Sequence, residues 1–257
     1  MTNHKTSTRG LAYGVDPRRP ERYSLRQARY DALAADIDAR AVVAASEGRR
    51  LSVLDIGSGG GAAPRHLRAR ANFAAIDLDA TDVDRQYNVD ESLYRRVLIG
   101  DLSKGYPELA SASYDVVICE QVLEHLRELK VPMETIGRLV RPGGWAFVGV
   151  PIFIPPLDLA RRHLVPSFDR LMRVRRRRSH VQAFTFAKFK AALVANSKLQ
   201  LVEARGFRIV SGGVLRPLEE HRGWWAFNRW LGARLPGACT EVQLVLQKPV
   251  VKAAGAE

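Results

Sequence analysis

The sequence predicts an α/β fold: a doubly wound, seven-stranded, mostly parallel sheet with two insertions. Three observations predict it. The stretch Leu51-Ser-Val-Leu-Asp55-Ile-Gly57-Ser-Gly59-Gly60-Gly61 reads as a buried strand, a glycine turn and a helix start. Strand and helix patterns alternate from residue 51 to 150, and right-handed crossovers between such units give a parallel sheet. The chain has 257 residues, 46% of them hydrophobic, enough for one large core with insertions.

Each element follows in order. Residues 1–23 are polar and carry Gly10, Gly14, Pro17 and Pro20, so they read as a loosely packed arm. From Ser24 to Ala45, apolar residues recur at Leu25, Ala28, Ala32, Ala35, Ile37 and Val42, a helical stripe with Ser24 as its cap. This arm and helix fill residues 1–50. Ser52–Ile56 is the first strand. Gly57, Gly59 and Gly61 permit positive φ and close approach of a ligand to the backbone. A helix from Ala62 to Ala69 would aim its free N–H groups over that loop. Phe73–Asp77 reads as the second strand, with Leu78 and Asp79 behind it. Arg95–Ile99 is the third, closed by Gly100-Asp101-Leu102. Tyr114–Cys119 is the fourth, followed by Glu120-Gln-Val-Leu-Glu124-His125-Leu126. A helix carries Met133, Ile136, Leu139 and Val140 on one face, with Pro132 in its first turn. Arg141-Pro-Gly-Gly144 then turns into the fifth strand, Trp145–Val150.

The alternation breaks at residues 151–184, which read as a basic insertion with the run Arg175–Arg178. Residues 185–257 finish the sheet. A helix begins behind Thr185, a sixth strand runs from Phe207 to Leu215, and Glu241–Lys248 is the last. A second insertion, residues 216–239, is rich in tryptophan and arginine. No internal repeat is visible.

Composition narrows the class. No apolar run reaches the ~18 residues of a spanning helix. The first residues lack the apolar core of a secretory signal. Cys119 and Cys239 are too few for a disulfide framework, which favours a reducing cytoplasm. The formal charge is +13, and 32 of the 40 basic residues are arginine. Such a surface attracts anions: nucleic acid, lipid headgroups or phosphorylated molecules. It is equally the solvated surface of an arginine-rich chain.

The glycines alone are ambiguous, because Gly57, Gly59 and Ala62 also fit a dinucleotide-binding pattern. Asp55 breaks the tie. A carboxylate two residues before the first glycine would repel a pyrophosphate and suits a cationic or zwitterionic ligand. With it, Asp55-Ile-Gly57-Ser-Gly59-Gly60-Gly61 resembles the first motif of class I S-adenosylmethionine-dependent methyltransferases. Ala75-Ile-Asp77, Ser113-Tyr114-Asp115, the Glu124-His125-Leu126 phrase and Arg141-Pro-Gly-Gly144 resemble later motifs of the small-molecule branch. The resemblance is strong over 51–150 and weak over 180–248.

It implies a Rossmann-like sheet whose last strand runs antiparallel. It also implies S-adenosylmethionine as cofactor, bound by Asp55, Gly57, Ser58, Gly59, Asp77, Leu78, Asp101, Leu102 and Glu120. Asp77 would take the ribose hydroxyls, with Asp79 as its competitor. Asp101 would take the adenine amine while the Leu102 backbone meets the ring. The implied reaction is displacement at the sulfonium methyl, in which the protein aligns the partners and supplies a base. His125 and His180 are the candidate catalytic residues.

Missing motifs narrow the acceptor. The fourth strand is not followed by the phrase of enzymes that methylate exocyclic base amines. Neither cysteine follows a proline. No Cys/His cluster has zinc spacing, so no metal is expected. The expected function is O-methylation of a small molecule, sugar or lipid-linked acceptor, in the cytoplasm and at the inner membrane surface if arginine and tryptophan meet lipid there. Nucleic acid is a lesser expectation. An RNA- or protein-directed methyltransferase and a non-catalytic basic binding module are the rivals. Oligomeric state stays open.

Overall fold

The computed structural model describes residue 25 and residues 27–84, 91–153, 181–209, 218 and 221–250. Ser24, His180, the Arg175–Arg178 run, most of the 151–184 insertion and the stretch 210–217 lie outside these described residues.

Seven strands form one sheet. They are β1 (Leu51–Ile56), β2 (Ile76–Asp82), β3 (Arg96–Ile99), β4 (Tyr114–Glu120), β5 (Val140–Pro151), β6 (Gln200–Phe207) and β7 (Glu241–Gln247). The order across the sheet is β3-β2-β1-β4-β5-β7-β6. The first five are parallel, and β7 runs antiparallel to both β5 and β6. The order reverses between β1 and β4. In an open α/β sheet that switch point opens a crevice at the carboxyl ends of the strands, where ligands bind.

The helices are α1 (Ala28–Ser46), α2 (Ala62–Arg68), α3 (Lys130–Leu139), α4 (Phe186–Ser197) and α5 (Arg222–Arg234). Alternate side chains of a strand point to opposite faces, so the strands feed two cores. Val53, Val116 and Ile118 pack with Leu33 and Ile37 of α1 and Leu67 of α2. Leu54, Ile56, Val117 and Cys119 pack with Met133 and Ile136 of α3 and Phe189 and Leu193 of α4. α1 is rich in alanine and has no proline or glycine, which suits a 19-residue helix. Leu33, Ala34, Ile37, Ala41 and Ala44 form its buried stripe.

Strand β5 begins at Val140, before the Arg141–Gly144 stretch read as a turn, and two further strands are shifted from the sequence reading. Phe73–Ala75 is a 3₁₀ turn, and β2 begins only at Ile76, which pairs with Leu51. An apolar triplet looked like a strand but has no ladder partner. β6 occupies Gln200–Phe207, where the sequence suggested 207–215. Its antiparallel pairing with β7 runs from Gln200↔Gln247 to Phe207↔Glu241, and Arg208 then turns away with φ 63°.

Candidate active site

The carboxyl ends of β1, β2 and β3 come together around the glycine loop. Gly57 N donates to Thr81 O at 2.7 Å, and Gly59 N donates to the Asp82 carboxylate at 2.8 Å. Gly57, Gly59 and Gly61 have φ of 68°, 46° and 67°. Position 57 tolerates only glycine for a second reason: a Cβ there would run into the Val122 side chain. Ser58 is buried in the same loop.

Asp55 points from the end of β1 into this region and is 4% exposed. Burial pushes its carboxyl up to about 7; the hydrogen bond from Tyr94 opposes this and the Asp82 charge adds to it. Tyr94 Oη donates to Asp55 Oδ2 at 3.1 Å. Asp101 follows β3 and caps a 3₁₀ turn, accepting from Ser103 N at 2.9 Å. The Ser103 donors hold its carboxyl below the usual range. Gly100 N donates to Asp82 O at 2.9 Å, which sets the ends of β2 and β3 side by side. Leu102 is buried next to Asp101.

Asp77 and Leu78 are not in this group. Asp77 is the second residue of β2 and pairs with Ser52, at the opposite edge of the sheet. Its carboxylate accepts from Arg50 Nε at 2.5 Å. Leu78 is buried in the core under α1 and α2. Asp79, the competitor, is fully buried and bound by Arg95, Arg96 and Tyr114. The acidic residue at the carboxyl end of β2 is Asp82, which the sequence reading missed. Counting finds it once the register of β2 is known. Six residues of β1 reach the loop, so a strand in register from Ile76 must also run about six residues, and Ile56 pairs with Thr81.

The end of β4 carries a different arrangement. Glu120 is buried, pairs with Arg29 Nε at 3.1 Å and accepts from Gln243 Nε2 at 2.7 Å. Arg29 also bonds Glu241, and Glu241 in turn accepts from Arg208 at 2.7 Å. Burial raises the Glu120 carboxyl to about 7, against the lowering effect of Arg29. So Glu120 ties α1 to β4 and β7 beside the glycine loop. Glu124 follows in a 3₁₀ turn. Its carboxylate is fully buried with no hydrogen-bond partner for either oxygen among the described residues, and burial raises it to about 7. His125 stands next to it, 42% exposed, with Nε2 at 4.0 Å from Glu124 Oε1. His180 lies outside the described residues. No group of His, Cys, Asp and Glu among the described residues could hold a metal.

Beside these residues, a cavity of about 490 Å³ opens at the ends of β4, β5 and β7. Gln121, Ile152, Phe153, Arg208, Ile209 and Glu241 contribute to its walls. One edge of the sheet therefore carries two adjacent features, a glycine loop flanked by three carboxylates and a mainly apolar cavity.

The comparisons with known proteins fit this geometry. Residues 24–211 match the family model described as a methyltransferase domain. The chain belongs to that family. Curated relatives include the ubiquinone biosynthesis O-methyltransferases of Paracidovorax citrulli and Bordetella avium. They are 34% and 32% identical to 39% of this chain and 43% and 42% of their own. The chain thus spans under half the length of these relatives. Among solved structures, the [4+2]-cyclase SpnF matches 86% of this chain and 81% of its own, with TM-score 0.53 and 18% identity. A SAM-dependent methyltransferase from Thermotoga maritima matches 77% and 82%, with TM-score 0.51 and 13% identity. At such identities the likeness is one of fold, and the cyclase shows that one fold hosts different chemistries.

The chain carries a methyltransferase domain, and the residues at this edge fit S-adenosylmethionine as the methyl donor. Asp82 and Asp101 end neighbouring strands, and each carboxylate has lone pairs beyond the backbone bonds it accepts. The loop at Gly57–Gly59 has no side chains to block a ligand's approach except that of Ser58. Among the described residues, no helix is long and apolar enough to cross a membrane.

Proposed function

We propose that the chain transfers a methyl group from S-adenosylmethionine to a hydroxyl oxygen of a small-molecule or lipid-linked acceptor. One observation carries this reading: the carboxylate-flanked glycine loop and the apolar cavity share the carboxyl edge of the sheet, on either side of Glu120 and Gln121. Cofactor and acceptor would meet there. The names of the curated relatives support oxygen as the nucleophile.

The bound cofactor supplies an activated sulfonium methyl. The residues of the chain do the rest. Asp82 holds the ribose hydroxyls, Asp101 the adenine amine, and the Gly57–Gly59 backbone and Asp55 the amino-acid end. His125 takes the hydroxyl proton of the acceptor, because it stands exposed at the end of β4 with Glu124 behind it. The test is label transfer from methyl-labelled S-adenosylmethionine. His125→Ala should lower turnover ~10²–10⁴-fold with cofactor affinity unchanged. Equal losses of stability and of cofactor binding would instead make it a structural residue.

A second observation bears on where the enzyme works. Trp224, Phe227 and Trp230 form an aromatic stripe along α5, with ring centroids 5.7 and 6.2 Å apart, the first pair tilted and the second stacked. Phe227 and Trp230 are 42% and 52% exposed, and the Arg234 guanidinium lies over Trp230. Rings beside guanidinium groups suit the headgroup level of an anionic membrane. We read this as peripheral contact at a cytoplasmic membrane surface. Salt-sensitive pelleting with anionic vesicles, lost in Trp230→Ala, would support it; no pelleting at low salt would end it.

A further inference from the structure

Tyr94 belongs to none of the sequence motifs, yet its hydroxyl reaches the glycine-loop end of β1. It follows the turn Glu91–Leu93 and leads into β3. Tyr94 N donates to Glu91 O at 3.1 Å, and Arg95 N donates to Leu78 O at 2.7 Å, which ties this segment to β2. The ring is buried in the core with Val53, Leu67 and Leu78. Backbone and ring are therefore both fixed, and the hydroxyl is aimed. It donates to Asp55 Oδ2 at 3.1 Å, and the Ser58 side chain hydrogen-bonds the same phenol. One tyrosine thus joins the carboxylate of β1 to the serine of the glycine loop.

That bond has a chemical consequence. A buried carboxyl keeps its proton unless a donor or a cation stabilises the charge. Burial lifts Asp55 to about 7; the Tyr94 bond lowers it and the Asp82 charge at the end of β2 raises it. Tyr30 of α1 and Cys119 of β4 also face the Asp55 charge. None of these groups is a cation. Burial, the Asp55 charge and the bond to Asp55 push the Tyr94 hydroxyl far above its ordinary range, against Ser58 and Arg65 of α2, so it stays a donor. Asp55 is the carboxylate assigned above to the amino-acid end of the cofactor. An ammonium there attracts a carboxylate and gains little from a carboxylic acid.

We propose that Tyr94 is a positioning residue for the cofactor: its hydroxyl holds Asp55 ionised and aimed at the ammonium of the amino-acid end. The proposal rests on the methyltransferase reading and concerns cofactor binding alone.

Calorimetry with two ligands tests it, S-adenosylhomocysteine and 5′-methylthioadenosine, each at pH 6 and pH 8.5. The second keeps the adenosine and the thioether but lacks the amino-acid end. Wild type should bind S-adenosylhomocysteine ~10-fold more weakly at pH 6, where most of Asp55 is protonated, than at pH 8.5. Tyr94→Phe keeps the buried ring and removes only the hydroxyl. It should weaken S-adenosylhomocysteine a further ~10-fold at pH 6 and less than about twofold at pH 8.5, where Asp55 ionises without help. Methylthioadenosine should bind wild type and variant alike at both pH values. Asp55→Asn should flatten the pH dependence, and adding Tyr94→Phe to it should change nothing further. Thermal unfolding shows that each variant is folded at the temperature of measurement. A loss in Tyr94→Phe that is equal at both pH values, or shared by methylthioadenosine, would make Tyr94 a support of the loop and overturn the proposal. So would S-adenosylhomocysteine binding that does not respond to pH or to the lost hydroxyl. The underlying reading fails separately: it is sunk if neither ligand binds wild type.

Discussion

Apart from Glu120 and Glu241, which Arg29 and Arg208 pair at the ends of β4 and β7, the two edges of the sheet treat their carboxylates in opposite ways. At the amino edge, Asp77, Asp79 and Asp115 are met by arginines: Arg50 for the first, Arg95 and Arg96 for the second, Arg49 and Arg141 for the third. Burial alone would raise the Asp79 and Asp115 carboxyls. The hydrogen bonds from Arg95, Arg96 and Tyr114 outweigh it for Asp79, and those from Ser52 and Arg141 outweigh it for Asp115, so both lie below the usual range. At the carboxyl edge, Asp55 meets a tyrosine, Asp82 and Asp101 meet backbone N–H groups, and the Glu124 carboxylate has no hydrogen-bond partner among the described residues. Asp55 and Glu124 are raised, both chiefly by burial. A carboxylate saturated by arginine staples the fold. One met by neutral donors can still bind a ligand.

Breaking the amino edge should have the largest effect. Asp79 has no exposed surface and joins Arg95, Arg96 and Tyr114. Asp79→Ala should cost about 2–4 kcal/mol of stability in urea unfolding, the scale of a broken buried ion pair. Cofactor affinity measured at a temperature where the variant is folded should stay within about twofold. A large loss of affinity at full stability would erase the contrast between the edges.

The next effect compares the ends of one strand. Asp82→Ala should weaken S-adenosylmethionine ~10–100-fold, the loss of a charged hydrogen-bond partner. Asp77→Ala should leave affinity unchanged and cost less than about 1 kcal/mol of stability, because its bond to Arg50 is half exposed. The reverse result in calorimetry would return Asp77 to the site.

That pair also shows how far the sequence could be read. The strand–glycine–helix stretch, the alternation to residue 150 and the antiparallel last strand are all in the structure, since periodicity and glycine position determine them locally. Asp55, Gly57, Ser58, Gly59, Asp101 and Leu102 come together because each lies within a residue or two of a strand end that its own motif marks. Asp77 failed because nothing local marks where β2 begins. The register with β1 decides it, and register is a tertiary property. Asp82 was hidden by the same error. Glu120 was read as a cofactor ligand, but its partners Arg29, Glu241 and Gln243 lie about 90 to 120 positions away, beyond any local pattern. The cavity that Gln121 and Arg208 line was illegible for the same reason: it exists only once β5 and β7 pair.

The smallest effect sharpens the carboxyl edge. Glu124 has a carboxyl raised from 4.5 to about 7. Burial is the main cause; Glu124's own backbone N–H, His125 and Arg29 work against it and Glu241 adds to it, with Glu120 raised by the same cluster. A folded value above the unfolded one means that the folded chain holds the proton more tightly. Between pH 4.5 and 7 the folded state binds more protons, so stability falls as pH rises through that window. His66 works in the opposite sense, since burial lowers it to about 4, and its contribution grows from pH 4 to 6.5. The difference between wild type and Glu124→Gln cancels His66 and Asp55, and it includes the easing of Glu120, which the Glu124 charge raises. Glutamine cannot ionise, so the variant should match wild type near pH 5 and exceed it by about 1–2 kcal/mol at pH 8. Urea unfolding at both pH values measures this. A difference that stays flat from pH 5 to 8 would show that the folded Glu124 titrates like an exposed carboxylate, and the contrast between the edges would then rest on Asp55, Asp82 and Asp101 alone.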